Sequence, residues 1–268
     1  MFVKQLLKLL PQHKHYIEVF GGGASLLFAK VPSSGVEVYN DIDSGLVNFY
    51  RVLRDEDRFT EFHRLVELTP YSREEHENFR ATWEKEDDDV LRAYKFYIAC
   101  RMSFGAIIHK KGWSYSIATT NRGMSKTVSA YLGSIEGLAD VHERLRTVQV
   151  DHRDFRTIIK TYIAPGTLLY LDPPYIPETR SELNVYQHEM SLQDHDDLAR
   201  LLLQYPQMAM LSGYNHEAYD DLVANGWELY EIDRITCYSS GKDISKRTEC
   251  IWLNPAAVCA RNRQPPLL

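Results

Sequence analysis

Four consecutive residues in the second half of the chain, Asp172, Pro173, Pro174 and Tyr175, combine a carboxylate, a stiff turn and an aromatic ring. The apolar run at 167–171 before them predicts a short buried strand. The two prolines end it, since neither can donate to a ladder or continue the extension. A carboxylate and an outward-held carbonyl at such a strand end can accept both hydrogens of an exocyclic amine on a nucleobase. That nitrogen is a poor nucleophile because its lone pair is delocalised into the ring, and two acceptors make it more amine-like as a bond to it forms. Asp172 supplies one acceptor and the Pro173 carbonyl, held by Pro174, the other, while Tyr175 stacks on the base face. The chemistry this set suits is methyl transfer to the amine. The competing reading is a strand end with a proline turn and a surface tyrosine.

Ligands of open α/β sheets bind at the carboxyl ends of the strands, so the tetrapeptide needs partners at neighbouring strand ends. Residues 16–20 predict a first strand, and Gly21-Gly22-Gly23 a loop into a helix over 24–30. Glycines let backbone approach a ligand closely, and a helix N-terminus favours a carboxylate such as that of a methionine moiety. Residues 36–39 predict a second strand ending at Asn40-Asp41. Asp41 lies 18 residues after Gly23, close to the spacing at which an acid reaches the ribose hydroxyls of an adenosine-containing cofactor. Its alternative role is to cap a helix starting near Ser44. No Gly-Lys-Ser/Thr follows the glycines, which excludes a phosphate-cradling P-loop, and the third glycine of a hydride-transfer GxGxxG would fall at Leu26.

The tetrapeptide, the glycine run after Phe20 and the stretch Asn40-Asp41-Ile42-Asp43, in this order, resemble the Dam-like (D12 class) adenine-N6 DNA methyltransferases, including phage and prophage members. The resemblance spans nearly the whole chain. It implies a Rossmann-like, S-adenosylmethionine-dependent α/β methyltransferase sheet carrying an inserted, mainly helical DNA-recognition subdomain, with base flipping. It also implies that Asp172, Pro173, Pro174 and Tyr175 are catalytic, and that Phe20, Gly21, Gly22, Gly23, Asp41 and Asp172 meet the cofactor. Asp154-Phe155, after a strand at 148–150, matches the family's acidic-aromatic pair beside the cofactor's adenine. Of the family's aromatic-x-Gly-Gly-Lys element only Lys4 can correspond. The usual Phe-x-Gly-x-Gly reads Phe20-Gly21-Gly22-Gly23-Ala24, and Val19 stands where proline is common. These departures set the expectation of weakened cofactor binding, or of a start upstream of Met1. Two alternatives stay open: a cytosine-N4 methyltransferase, and a DNA-binding relic with impaired cofactor binding. Cytosine-C5 chemistry is disfavoured because its nucleophilic cysteine typically follows a proline and none of the four cysteines does. A sulfonium donor is already activated, so no metal and no covalent enzyme intermediate are expected.

The 268 residues, 44% hydrophobic and 25% charged, can bury a full core with a smaller insertion. The expected division is a catalytic domain at 1–53 and 150–268 with a target-recognition subdomain at 54–149. The expected state is a cytoplasmic monomer or weak dimer with double-stranded DNA as partner and no membrane span. Cys100, Cys237, Cys250 and Cys259 form neither a disulfide framework nor a zinc spacing. The net charge of −6 argues against a polyanionic partner until its distribution is considered. Residues 90–135 contain no Asp or Glu, where the average density would put about six, yet hold seven positive charges. One segment is thus built to meet phosphates. Within it Arg101, Lys110, Lys111, Arg122 and Lys126 are the candidate DNA contacts, with Trp113 and Tyr115 able to stack. In the last quarter, Ser239 to Lys242 and Lys246-Arg247 can touch phosphates or be solvated, and 261–268 reads as a frayed tail.

Overall fold

The computed structural model describes residues 2–109, 112–117, 120–179, 187–237 and 244–263, the side chains of 233–237 and 244–247 excepted. The chain runs through α1 (Phe2–Leu9), β1 (His15–Glu18), α2 (Ser25–Ala29), β2 (Glu37–Asn40), α3 (Ser44–Arg54), α4 (Glu56–Glu67), α5 (Arg73–Thr82) and α6 (Asp89–Met102). It continues through a small hairpin, β3 (Thr120–Asn121) and β4 (Met124–Ser125), then α7 (Lys126–Glu136), α8 (Leu138–Leu145) and β5 (Val148–Asp151). The remainder is α9 (Phe155–Thr161), β6 (Thr167–Leu171), α10 (Leu192–Gln204), β7 (Met208–Gly213), α11 (Asp220–Ala224), β8 (Glu228–Cys237), β9 (Ile244–Leu253) and α12 (Pro255–Asn262). Two compact units result, residues 1–42 with 151–268, and residues 43–150. The division precedes α3, whereas the sequence reading put it after Leu53. The amphipathic face of α3 packs on α6 and α4, and Gly45 lies so close to Trp83 and Phe96 that a Cβ there would come within 2.7 Å of the indole.

The first unit is organised by a sheet in which β2, β1, β6, β7, β9 and β8 are neighbours in that order. β1 is parallel to β2 and β6, and β6 is parallel to β7; β9 is antiparallel to both β7 and β8. The sheet is mainly parallel with an antiparallel edge, as the α/β reading expects. Strand β6 (TLLYL) is buried along its whole length, as a strand covered on both faces must be. Leu169 and Leu171 of this strand join Ile158, Ile159, Leu198, Leu202, Leu222 and Trp252 in one core. Local sequence sets the helix ends. Ser191 and Asp194 form a reciprocal capping box on α10, and α11 ends at Asn225-Gly226, where the glycine has φ +86°. The tail expectation fails at Arg261 and Asn262, which belong to α12, because Asn254 caps that helix and Pro255 opens it; residues 264–268 lie outside the described set.

The second unit is helical. Asp43 caps α3, Asp88 caps α6 and Ser125 caps α7, each accepting from backbone N–H groups. Aromatic packing fills it: Phe49 stacks on Tyr97 with centroids 5.7 Å apart, and Phe62 meets Tyr97 edge-on at 5.6 Å. Among the described residues, no helix is long and apolar enough to cross a membrane.

Asn254 ties β7 to α12. Its Oδ1 accepts from Ala209 N–H at 3.0 Å and Ala257 N–H at 2.9 Å, and its Nδ2 donates to the Gln207 carbonyl. Asn254→Ala leaves the buried Ala209 amide without its acceptor. It should cost about 2–3 kcal/mol, read as a lowered urea midpoint at unchanged slope.

Candidate active site

Strand order decides which loops become neighbours. The chain leaves β1 for β2 on one side, and β6 occupies the other, so the carboxyl end of β1 is a topological switch point. In register Glu18 faces Tyr170, and Val19 N–H donates to the Tyr170 carbonyl at 3.0 Å. The loop after β1 is therefore beside the turn after β6, and Gly21, Gly22, Gly23 and Asp172 line one hollow of about 460 Å³ with Glu18, Phe20 and Tyr170.

The glycine loop is held by three bonds to the end of β2. Gly21 N–H donates to the Asn40 carbonyl at 2.8 Å, Gly22 N–H donates to Asp41 Oδ2 at 2.7 Å, and Tyr39 Oη donates to the Gly22 carbonyl at 3.0 Å. A Cβ on Gly21 would stand 2.2 Å from the Tyr39 ring, so this glycine is required by packing. Gly22 (φ +48°) and Ala24 (φ +51°) both sit in the left-handed region. The alanine in place of the family's second glycine therefore carries roughly 1–2 kcal/mol of strain, yet it is fully buried.

A second hollow, of about 420 Å³, shares Phe20 with the first and is lined by Asn40, Asp154, Phe155, Arg156, Pro174 and His188 among others. The Phe20 and Phe155 rings lie 5.5 Å apart. Asp154 caps α9 and pairs with Arg156, which also binds Asp194 at 2.5 Å and Asp197 at 2.8 Å. The pair of hollows has an apolar, aromatic end and a backbone-rich end, a shape and chemistry that can take a nucleoside with an amino-acid tail. Two of the predicted cofactor residues line neither hollow: Asp41, whose Oδ2 accepts from Gly22 N–H, and Lys4. Lys4 is exposed on α1, and Phe2, Val3 and Leu6 line the first hollow from that helix, because the amphipathic stripe of a helix turns its apolar residues inward.

The four residues after β6 separate their side chains. Asp172 is half-buried, and its Oδ1 accepts from Ser212 Oγ at 2.9 Å. Pro173 is buried and Pro174 borders the second hollow. Tyr175 is half-buried, donates from Oη to Glu249 Oε2 at 2.9 Å, and meets Tyr214 edge-on at 4.7 Å. Burial, then the charges of Asp172 and Glu249, push its phenol far above the ordinary range. Glu18, Tyr39, Ser212, Tyr214 and Glu249 were missed by sequence reasoning. Only Glu18, which ends a strand and precedes the glycines, carries a local signal, since the others arrive through sheet register.

Of the predicted DNA contacts, Lys110 and Lys111 lie outside the described residues. Arg101 is exposed at the end of α6 with its guanidinium 5.5 Å from the Tyr97 ring, and Lys126 is exposed at the start of α7. Arg122 (φ +55°) and Gly123 (φ +75°) make the tip of the β3–β4 hairpin, a turn whose twist suits paired strands. Arg122 pairs with Glu136 at 3.0 Å, both exposed. Trp113 stacks on Tyr115 at 5.8 Å, with Arg73 on the indole at 4.8 Å. Among the described residues, no His/Cys/Asp/Glu cluster suits a metal.

A family model described as D12 class N6 adenine-specific DNA methyltransferase matches residues 1–236. The Type II methyltransferase M1.LlaDCHI of Lactococcus lactis subsp. cremoris is 27% identical over 194 residues, covering 68% of this chain and 64% of that protein. The DNA N-6-adenine-methyltransferase of Escherichia phage P1 is 27% identical over 211 residues, covering 75% of this chain and 26% of that protein. The chain thus spans less than two thirds of the length of either relative. A solved structure of a putative rRNA-methylase from Clostridium thermocellum aligns with a TM-score of 0.38 at 8% identity, over 93% of this chain and 94% of that one.

Glu18 gives the site a pH signature. It is buried, accepts from Tyr16 Oη at 3.0 Å and Leu27 N–H at 3.1 Å, and desolvation, reinforced by the charge of Asp172, pushes its carboxyl up to about 8. The folded protein holds this proton more tightly than the unfolded chain, whose carboxyl titrates near 4.5. The stability Glu18 contributes is therefore complete below that value and lost as pH rises through about 8. In urea titrations from pH 5 to 9, Glu18→Gln should remove a decline of on the order of a few kcal/mol that the wild type shows.

Proposed function

We propose that this chain, which belongs to the D12 class of N6 adenine-specific DNA methyltransferases, transfers the methyl group of S-adenosylmethionine to adenine N6 in DNA. The observation that carries the reading is that Asp172 and the three glycines border one hollow, which sets the acceptor of the amine protons beside the proposed seat of the methyl donor. Gly21 to Gly23, with Asp41 fixing the loop through Gly22, would hold the methionine end. Phe20, Asp154 and Phe155 would meet the adenosine end. The two joined hollows and the close approach permitted at Gly22, where a Cβ would meet nothing within 4 Å, fit such a group; Lys4 has no place in this set.

When bound, S-adenosylmethionine supplies a methyl already activated on a sulfonium. The protein's own contribution is to the acceptor. Asp172, oriented by Ser212, accepts one N6–H bond and the Pro173 carbonyl the other, so electron density stays on nitrogen as the N–C bond forms and the C–S pair leaves with sulfur. Asp172 then takes the surplus N6 proton. Tyr175 supports the base through its ring. A base inside a duplex cannot reach these groups, so it must be extruded at a cost of a few kcal/mol. Residues 43–150, with Arg101, Arg122, Lys126 and the acid-free window, would offset that cost through phosphate and base-edge contacts.

Incubation with labelled S-adenosylmethionine and mixed-sequence DNA, followed by digestion to nucleosides, should yield 6-methyladenine. 4-Methylcytosine would overturn the acceptor. Absence of calorimetric heat on titration with the cofactor would favour a binding-only protein. Asp172→Ala should lose at least about 10³-fold in turnover with DNA affinity retained; wild-type turnover in this variant would remove Asp172 from its role.

A further inference from the structure

Glu249 is 3% exposed on β9, the antiparallel strand beside β7, yet it is a carboxylate with no place in the chemistry described above. A buried acid is retained only where a partner satisfies it, and one such partner is the hydroxyl of Tyr175 at 2.9 Å. The pairing of Gly213 with Cys250 brings Glu249 next to the residue that follows β7, Tyr214, whose ring meets Tyr175 edge-on at 4.7 Å. The phenol is thus pinned at both ends of its freedom: the carboxylate fixes the hydroxyl, and the neighbouring ring fixes the rotation of the aromatic plane.

We propose that Glu249 is a positioning residue for base capture, which sets the plane of Tyr175 through the Oη–Oε2 hydrogen bond so that the extruded base stacks on a fixed surface. The inference rests on the reading of Asp172 to Tyr175 as the base-holding element. A rigid ring matters because misplacement of a bound group by about 1 Å can cost on the order of 10² in rate. A phenol donating to a carboxylate also has an electron-rich face, which favours the partial positive charge that the purine gains while nitrogen is being alkylated. Glu249 acts only through Tyr175, and Tyr214 completes the clamp.

A double-mutant cycle on the full chain tests this, read by single-turnover methylation and by the emission of 2-aminopurine at the target position, which stacking on an aromatic ring quenches. E249A and Y175F should each lower the rate about tenfold, and the double variant should be no slower than Y175F. E249Q keeps a carbonyl acceptor and should recover most of the rate. In complexes with DNA, E249A should raise 2-aminopurine emission at least about twofold over wild type as stacking loosens. Should E249A lose its cooperative urea transition, E249Q and E249Q/Y175F decide, since E249Q must have no effect once the Tyr175 hydroxyl is gone. Equal losses from the Glu249 substitution in the wild-type and Y175F backgrounds, or unchanged emission, would overturn the inference. A wild type that methylates no DNA would instead overturn the reading beneath it.

Discussion

The parallel register of three adjacent strands is the constraint on which the site depends. Pairing of Glu18 with Tyr170 and of Leu171 with Leu211 sets the ends of β1, β6 and β7 beside one another at one edge of the sheet. The glycine loop, Asp172 and Ser212 then have no choice but to be neighbours. A slip of one residue in β6 would turn Tyr170 and Leu171 to opposite faces and carry Asp172 away from the Ser212 hydroxyl. Complete burial of β6 makes that slip costly, because the strand has no polar face to tolerate the exchange. The geometry of the candidate site is here a by-product of core packing, which is why a short tetrapeptide can suffice as a signature.

Charge is managed inside that frame by hydrogen bonds at Glu18, Asp172 and Glu249 and, beside the second hollow, by the ion pairs of Arg156 with Asp154, Asp194 and Asp197. Glu18 and Asp172 stand at the carboxyl ends of β1 and β6, with Glu249 beyond them on β9, and three ionised acids in one region would repel one another strongly at low dielectric. Glu18 escapes by retaining its proton to about pH 8, while Asp172 accepts from Ser212 and Glu249 from Tyr175. Glu18 thus keeps its proton beside the glycine loop, where Asp172 accepts a hydrogen bond from Ser212. That division of roles between neighbouring carboxyl groups is what a site needs if one group is to accept protons from a weakly basic amine.

The sheet, the glycine loop and the Asp-Pro-Pro-Tyr strand were legible because each is written in contiguous residues with a local physical meaning. Asp41 was legible as the end of the second strand but not in what it holds, since sequence spacing cannot distinguish an acid that reaches outward from one that binds the loop through Gly22 N–H. Lys4 was misplaced because a motif was carried onto a helix whose inward stripe is Phe2, Val3 and Leu6. Ser212, Tyr214 and Glu249 were illegible for a different reason. Ser212 lies 40 positions from the aspartate it serves and Glu249 lies 74 from its tyrosine, and no single sequence encodes which strand lies next to which. The boundary before α3 was likewise invisible, since the amphipathic pattern of that helix says that it packs but not on what.

The acid-free window raises the question of how a chain of net charge −6 would hold DNA without a heavy penalty for freeing its cationic side chains. The geometry of the second unit answers for Arg122, whose partner Glu136 stands just past the end of the window, with both side chains more than half exposed. An exposed pair of this kind is worth about 0–1 kcal/mol, so a phosphate, which offers denser charge and releases counterions on contact, can displace the carboxylate at little cost. Arg101, exposed at the end of its helix, rests against the face of Tyr97, a contact of similar small worth. Weakly held cations on a rigid aromatic scaffold suit the proposed recognition role: the helices keep their places while the side chains remain available to change partners.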